Sequence, residues 1–196
     1  MESYKFNFTD IQRNKLPKIL VPTRWVENLR NQVVFNLEND FQLQIRRMES
    51  DDIDQVMKLE EQIFPSPWSA ESFSYRLEEK NFNMSIVGLS DNRIIAYAVS
   101  YVVFDEFHFS NIAVEKRFRG KKIGETLLWL SLQIGVEYNC SFVQLEVRES
   151  NRQAIRLYEK YGFKKTGLRK NYYARENEDA LLMSKEINWE IPYGMV

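Results

Sequence analysis

The sequence predicts a mixed α/β domain of the α+β kind, with a mostly antiparallel central sheet flanked by helices and an extra N-terminal arm and helix. Two observations carry this reading. Residues 84–114 hold three consecutive strand patterns, and Asp91-Asn92 between the first two is a hairpin signal, which makes the start of the sheet antiparallel. Residues 111–162 then run strand, basic loop, helix, strand, helix, an alternation that requires at least one parallel pair. A chain of 196 residues with 44% hydrophobic content can bury one good core, so one domain with an appendage is expected.

Composition excludes several classes. A net charge of -1 leaves no surplus of Lys and Arg for a large nucleic-acid footprint, so any basic patch is local. A single cysteine, Cys140, cannot close an internal disulfide, which points to a reducing compartment. No N-terminal basic-then-apolar segment and no stretch near 20 apolar residues occurs, so a soluble, cytoplasmic protein without membrane contact is expected. No metal ligand set is expected either, and oligomeric state is not legible.

Along the chain, residues 1–40 read as an N-terminal extension, 41–188 as the main domain and 189–196 as a C-terminal tail. Pro17 and Pro22 interrupt the first segment, which reads as an irregular arm. Trp25, Leu29, Val33 and Leu37 recur every four residues and predict a helix from Arg24, docked on the domain or free to bind a partner. Phe41, Leu43 and Ile45 alternate with polar residues and predict a half-buried strand. Asp51 or Asp52 can cap a helix over 53–63, Pro65 and Pro67 stop it, and Ser69 opens a second helix through about Glu79.

The chemistry begins after Val114. Arg117, Arg119, Lys121 and Lys122 crowd a strand-to-helix junction, and Ile123, Leu127, Leu130 and Ile134 give the following helix its apolar stripe. Free N–H groups at a helix start, with cations and glycines alongside, make an anion site suited to pyrophosphate; a solvated basic loop is the plain alternative. Neither a Walker loop nor a dinucleotide fingerprint is present.

In 142–148, Val143, Leu145 and Val147 share one strand face while Gln144, Glu146 and Arg148 share the other. Glu146 is then either an ion-pair partner of Arg148 or Arg152 or a general base whose pKa partial burial raises. Ser150 to Gln153 fits a capping box, Gly162 a C-terminal cap, and the helix between them carries Asn151 and Tyr158 on one face. The plain reading of Tyr158 is a core aromatic with a wet hydroxyl. Cys140, which has no nearby His in sequence, reads as a packed small hydrophobe rather than a nucleophile, and His108 as structural or exposed.

PWS at 67–69, VVFDE at 102–106, NIAV at 111–114, LEVRESN at 145–151, AIRLYEKYGF at 154–163 and RKNYY at 169–173 occur in an order that resembles the Gcn5-related N-acetyltransferase (GNAT) superfamily. Within it the chain is similar to the bacterial RimI type, the ribosomal-protein-alanine N-acetyltransferases, over about residues 41–187. The resemblance implies a GNAT fold, acetyl-CoA as cosubstrate, and an N-terminal alanine of a small-subunit ribosomal protein as acceptor. It implies that backbone groups of Ile112, Ala113 and Val114 meet the pantetheine arm, that Gly120, Lys121, Lys122, Ile123, Gly124 and Glu125, after Arg119, wrap the pyrophosphate, and that Asn151 contacts the cofactor. Glu146 matches the family's proton acceptor and Tyr158 its proton donor. The loop departs from the family's Arg/Gln-x-x-Gly-x-Gly/Ala, with Lys122 standing where the first glycine is expected. A positive φ there costs a non-glycine residue about 1 kcal/mol.

An α-amine has a pKa near 8, so a base must remove its proton before it attacks a thioester. Trp68 and residues 169–173 are expected to border the acceptor groove. Glu60, Glu61, Asp105 and Glu106 are candidates for attracting basic tails, against the plain reading as ordinary surface charges. Another acceptor amine, or a non-catalytic acetyl-CoA-binding, ribosome-associated module, are the alternatives.

Overall fold

The computed structural model describes residues 4–7, 27, 29, 30, 32–78 and 83–187, and for 4–7 the backbone alone. Nine strands form one sheet in the order β1-β2-β3-β4-β5-β6-β7-β9-β8: β1 Tyr4–Asn7, β2 Val33–Asn36, β3 Gln42–Arg47, β4 Ile86–Ser90, β5 Arg93–Val103, β6 Glu106–Val114, β7 Phe142–Arg148, β8 Lys164–Tyr173 and β9 Glu178–Glu186. The pairs β1–β2 and β6–β7 are parallel and the others antiparallel. Among the described residues four α-helices cover the sheet: α1 Ile53–Ile63, α2 Ala70–Glu78, α3 Ile123–Glu137 and α4 Arg152–Lys160. The mixed, mostly antiparallel architecture is as expected. Among the described residues no helix is long and apolar enough to cross a membrane.

The helix expected from Arg24 is corrected over its second half. Val33–Asn36 is a strand hydrogen-bonded in the sheet against β3, and Leu37 follows it. Most of 1–28 lies outside the described residues. Both periodicities fit a short apolar run, and here pairing with β3 decides, because it satisfies the backbone while burying Val33 and Phe35 completely. This strand also explains α3. The predicted stripe of Ile123, Leu127, Leu130 and Ile134 is buried as expected, but so is Trp129 beyond the stripe, where the Phe35 ring meets it edge-on at 6.2 Å.

Two apolar layers sandwich the sheet. One joins α3 and α4 to Phe107, Phe109, Leu145 and Val147; the other joins α1 and α2 to Tyr97, Val99 and Ala113. Asp52 seats α1 by accepting from the Glu49 N–H (2.8 Å) and both guanidinium nitrogens of Arg46 (2.6 and 2.7 Å). The bidentate geometry is the strong form of this pairing, and it holds the Arg46 guanidinium above its ordinary pKa.

The central feature is where β6 and β7 part. Their ladder runs from Glu106–Phe142 to Phe109–Leu145 and stops, while β5 stays paired with β6 to Val114 and β9 with β7 to Arg148. A bulge lies at that point: β5 slips register between Val99 and Ser100, opposite Asn111 and Phe109, leaving Ser110 as the extra residue. The two strands splay and open a cleft in the sheet.

Phe35→Ala should destabilise the fold by about 3 to 5 kcal/mol if β2 is part of the core. Urea unfolding measures this, and a loss below about 1 kcal/mol would show β2 to be a loosely attached extension.

Candidate active site

Two adjoining pockets fill the splay. One is lined by Ile112, Val114, Arg119, Gly120, Lys122 and Gly124 with Leu157 and Tyr158; the other by Glu60, Trp68, Asn111, Glu146, Tyr172 and Tyr173. Ile112, Asn151 and Tyr158 line both, so the pockets meet at these residues.

The first pocket is built from backbone. Glu115 donates its N–H to Ile95 O (2.8 Å) on β5, and alternation along an antiparallel strand then directs the N–H and C=O groups of Ile112 and Val114 away from β5, toward the cleft. The Val114 carbonyl accepts from Arg119 Nε at 3.1 Å. The first helical bond of α3 is Thr126 N–H to Lys122 O (2.9 Å), which leaves the N–H groups of Ile123, Gly124 and Glu125 facing out of the helix start. Gly120 (φ 80°) has open space around it where a side chain would stand. Amides, a helix N-terminus and an open backbone at one end of the cleft fit a diphosphate.

The charges are less free than the sequence suggests. Arg117 pairs with Glu115, Lys121 lies over the Phe41 ring at 5.3 Å, and Lys122 reaches Glu125 at 3.6 Å. Lys121 is not among the pocket's lining residues. Glu125 is buried, held by Lys160 and by the Tyr161 hydroxyl (3.2 Å), so what it offers the pocket is its N–H. Lys122 does occupy the left-handed region (φ 64°, ψ 4°), as the glycine-like position required.

The second pocket carries the side-chain chemistry. Strand alternation puts Glu146 on the cleft side, as predicted, but its partner is Arg169 on β8 at 3.1 Å rather than Arg148 or Arg152. Arg148 instead stacks on Tyr173 at 3.7 Å and pairs with Glu178 at 3.1 Å. The α4 cap is Asn151 rather than Ser150, its Oδ1 accepting from Ala154 N–H at 3.2 Å. Tyr158 is buried against Phe163, and burial first, then Tyr173, pushes its phenol pKa up, which keeps it protonated. The aromatic wall expected from Trp68 and residues 169–173 is present in Trp68, Tyr172 and Tyr173. Ser66 donates to Glu176 Oε1 at 2.7 Å, joining the α1–α2 loop to the β8–β9 turn.

Of the four acids weighed as groove charges against ordinary surface charges, Glu60 alone lines the pocket, and it is enclosed rather than on the surface. It is 1% exposed, lines the second pocket, and accepts hydrogen bonds from the Tyr97 hydroxyl and from Trp68 N–H (3.0 Å). Burial pushes its carboxyl up to about 7, against smaller opposing effects of Trp68 N–H and Asn111. The signal was faint: Glu60 follows Val56 and Leu59 around the inner face of α1. Glu61 is exposed, and Asp105 and Glu106 lie at the far end of β6. His108, stacked on Tyr101 at 4.9 Å and bonded to Glu106, lies there too. Cys140 is fully buried, its thiol pushed up to about 11 by burial first and then by Asp105.

Residues 53–163 match the acetyltransferase (GNAT) family. A relative from Bacillus subtilis is 38% identical over 144 residues, spanning 74% of this chain and 95% of its own length, and carries the description [ribosomal protein bS18]-alanine N-acetyltransferase as a provisional one. The [ribosomal protein bS18]-alanine N-acetyltransferase of Salmonella typhimurium is 34% identical over 139 residues, 70% of this chain and 93% of its own. Among solved structures, the ribosomal-protein-S18-alanine N-acetyltransferase from Escherichia coli superposes with a TM-score of 0.70 at 28% identity, covering 79% of this chain and 99% of that one.

A carboxyl with a raised folded pKa stabilises most below its unfolded pKa of 4.5 and loses that contribution as pH rises through about 7. Glu60→Gln cannot ionise, so its stability relative to the unsubstituted chain should improve by about 1 to 3 kcal/mol from pH 5 to pH 8. Urea unfolding at both pH values tests this, and a pH-independent difference contradicts it. Lys122→Gly should raise stability by about 0.5 to 1 kcal/mol through relief of the left-handed backbone, since its part-exposed pair with Glu125 is worth little; a loss of stability would contradict the strain.

Proposed function

This chain belongs to the acetyltransferase (GNAT) family, and from that premise we propose that it moves the acetyl group of acetyl-CoA to the N-terminal alanine of a small-subunit ribosomal protein. The observation that carries the reading is the joining of two unlike pockets at Tyr158: a backbone-lined one suited to a diphosphate and thioester arm, and an acidic, aromatic-walled one suited to an amine on an extended chain. The relatives from Bacillus and Salmonella carry the acceptor specificity in their descriptions.

Acetyl-CoA, when bound, supplies an activated acyl group and a thiolate leaving group. Its diphosphate is assigned to the N–H groups of 123–125 with Gly120, Arg119 and Lys122, and its pantetheine arm to the cleft-facing backbone of Ile112 and Val114, with Asn151 alongside; the backbone groups of Ala113 between them face β5. Glu146 accepts the proton of the acceptor α-ammonium, directly or through a water. Arg169 orients that carboxylate and is 53% exposed, so an arriving ammonium can share or displace it. A cleft-facing β6 amide polarises the acyl oxygen as charge develops on it. As the amine nitrogen bonds the acyl carbon and the C–S bond breaks, Tyr158, held protonated by burial, gives its proton to the sulfur and regains one from the second proton that the nitrogen sheds. The presence of this pair in one cleft favours an enzyme over a binding module.

The test is release of free CoA with a panel of peptides. Peptides beginning with alanine should turn over, while N-terminally blocked copies should not. Turnover confined to lysine side chains or small amines would assign the same fold to another acceptor, and no turnover with any amine would remove the enzymatic reading. Glu146→Gln and Tyr158→Phe should each lower kcat by about a hundredfold or more with acetyl-CoA affinity little changed, as calorimetry reports. Full activity in either variant removes that residue from its role.

A further inference from the structure

Glu60 lies outside the proton transfers assigned above, yet several parts of the cleft converge on it. The cause is the bulge in β6. Phe107 and Phe109 pack in the layer with α3, and so do Ile112 and Val114, while Ala113 packs in the layer with α1. The extra residue at Ser110 has therefore shifted the strand's facing by one, which turns Asn111 toward α1 where an unbulged strand would turn it toward α3. Asn111 Nδ2 lies 3.2 Å from the Tyr97 hydroxyl and 3.4 Å from each Glu60 oxygen. The same carboxyl accepts from Tyr97 and from the Trp68 N–H.

One side chain thus joins β5, the bulged part of β6 and the loop that carries the aromatic wall. Glu60, Asn111 and Trp68 line the same pocket as Glu146 and Tyr158. A carboxylate only accepts hydrogen bonds, so while Glu60 is ionised the Asn111 amide must turn its NH2 inward, and its carbonyl oxygen is left for the cleft. That oxygen is an acceptor suited to the N–H of an incoming amine.

We propose that Glu60 is a positioning residue for acetyl transfer, locking the Asn111 amide and the Trp68 segment to strand β6 so that the acceptor amine is presented beside Glu146. The proposal rests on the acetyltransferase reading and deepens it. Among the described residues the bonds to Glu60 come from Tyr97 on β5, Asn111 on β6 and the Trp68 backbone; Glu146 and Arg148 on β7, Tyr158 on α4 and Tyr172 and Tyr173 on β8 face the same pocket without bonding it. With its carboxyl pushed up to about 7, the lock is made above neutrality and loosened below it.

The experiment compares the unsubstituted chain, Glu60→Gln, Asn111→Ala and the double variant, with thermal melting to verify folding. In Glu60→Gln the KM for an alanine-terminated peptide should rise about fivefold or more, the worth of one hydrogen bond, while the KM for acetyl-CoA moves less than about twofold. The ionisation near 7 should vanish from peptide kcat/KM, and the double variant should be no worse than the more impaired single variant, since both act through one contact. Equal losses toward both substrates with an unchanged pH profile, no loss at all, or losses that multiply in the double variant would overturn the proposal. If the unsubstituted chain acetylates no peptide, the functional reading fails separately. Hydrogen exchange then decides: the Trp68 amide should exchange about tenfold faster in Glu60→Gln, and unchanged exchange overturns the lock itself.

Discussion

The divergence of β6 from β7 beyond the Phe109–Leu145 pair is the constraint on which the rest of the structure depends. Two parallel strands that stay paired bury their backbone groups in each other. Parted, they leave the Ile112 and Val114 groups facing a gap, and buried peptide groups need partners. The gap holds because each strand is secured on its other side, β6 by β5 and β7 by β9, and because the Ser110 bulge bends β6 just where pairing ends. Both helices that follow these strands start at the same end of the cleft, so the N–H groups leading α3 and the Asn151 cap of α4 converge there.

The cleft places two carboxyls in opposite surroundings. Glu146 is partly exposed and paired with an arginine, and Glu60 is enclosed among neutral donors. One is therefore available to an arriving cation, while the other acts on what surrounds it. The loop that carries Trp68 is tied down twice, by Glu60 at Trp68 and by Glu176 at Ser66. Ser66 in turn holds the Glu176 carboxyl below its ordinary range, helped by Arg148. The loop between α1 and α2 is thus an oriented surface.

Much of the site was legible before any coordinates. The alternation of Val143, Leu145 and Val147 put Glu146 on the open face, and the seven-residue spacing put Asn151 and Tyr158 on one side of α4, because strand and helix periods are local properties of the backbone. The glycine expected at Lys122 raised the question of a left-handed backbone there, and the chain has one (φ 64°). Partners were less legible. Glu146 was weighed against Arg148 and Arg152, near in sequence, and found Arg169, which only the β7–β9–β8 order brings close. Val33 to Leu37 satisfied a helical stripe and became a strand with its flank, since pairing between β1 and β3 lies outside what a single segment encodes.

By itself, the sequence determined the order of elements through the core of the chain, the anion-suited start of α3, and the faces on which Glu146 and Tyr158 stand. These follow from periodicity, caps and residue chemistry over distances of a few residues. Tertiary structure alone decided that β2 joins the sheet, that the basic loop spends part of its charge on neighbours, and that Glu60 is an enclosed node. Each of those depends on a register or a burial summed over distant segments. A one-residue bulge at Ser110 is the clearest case, since it reverses which face Asn111 occupies without leaving a distinct mark in the local pattern.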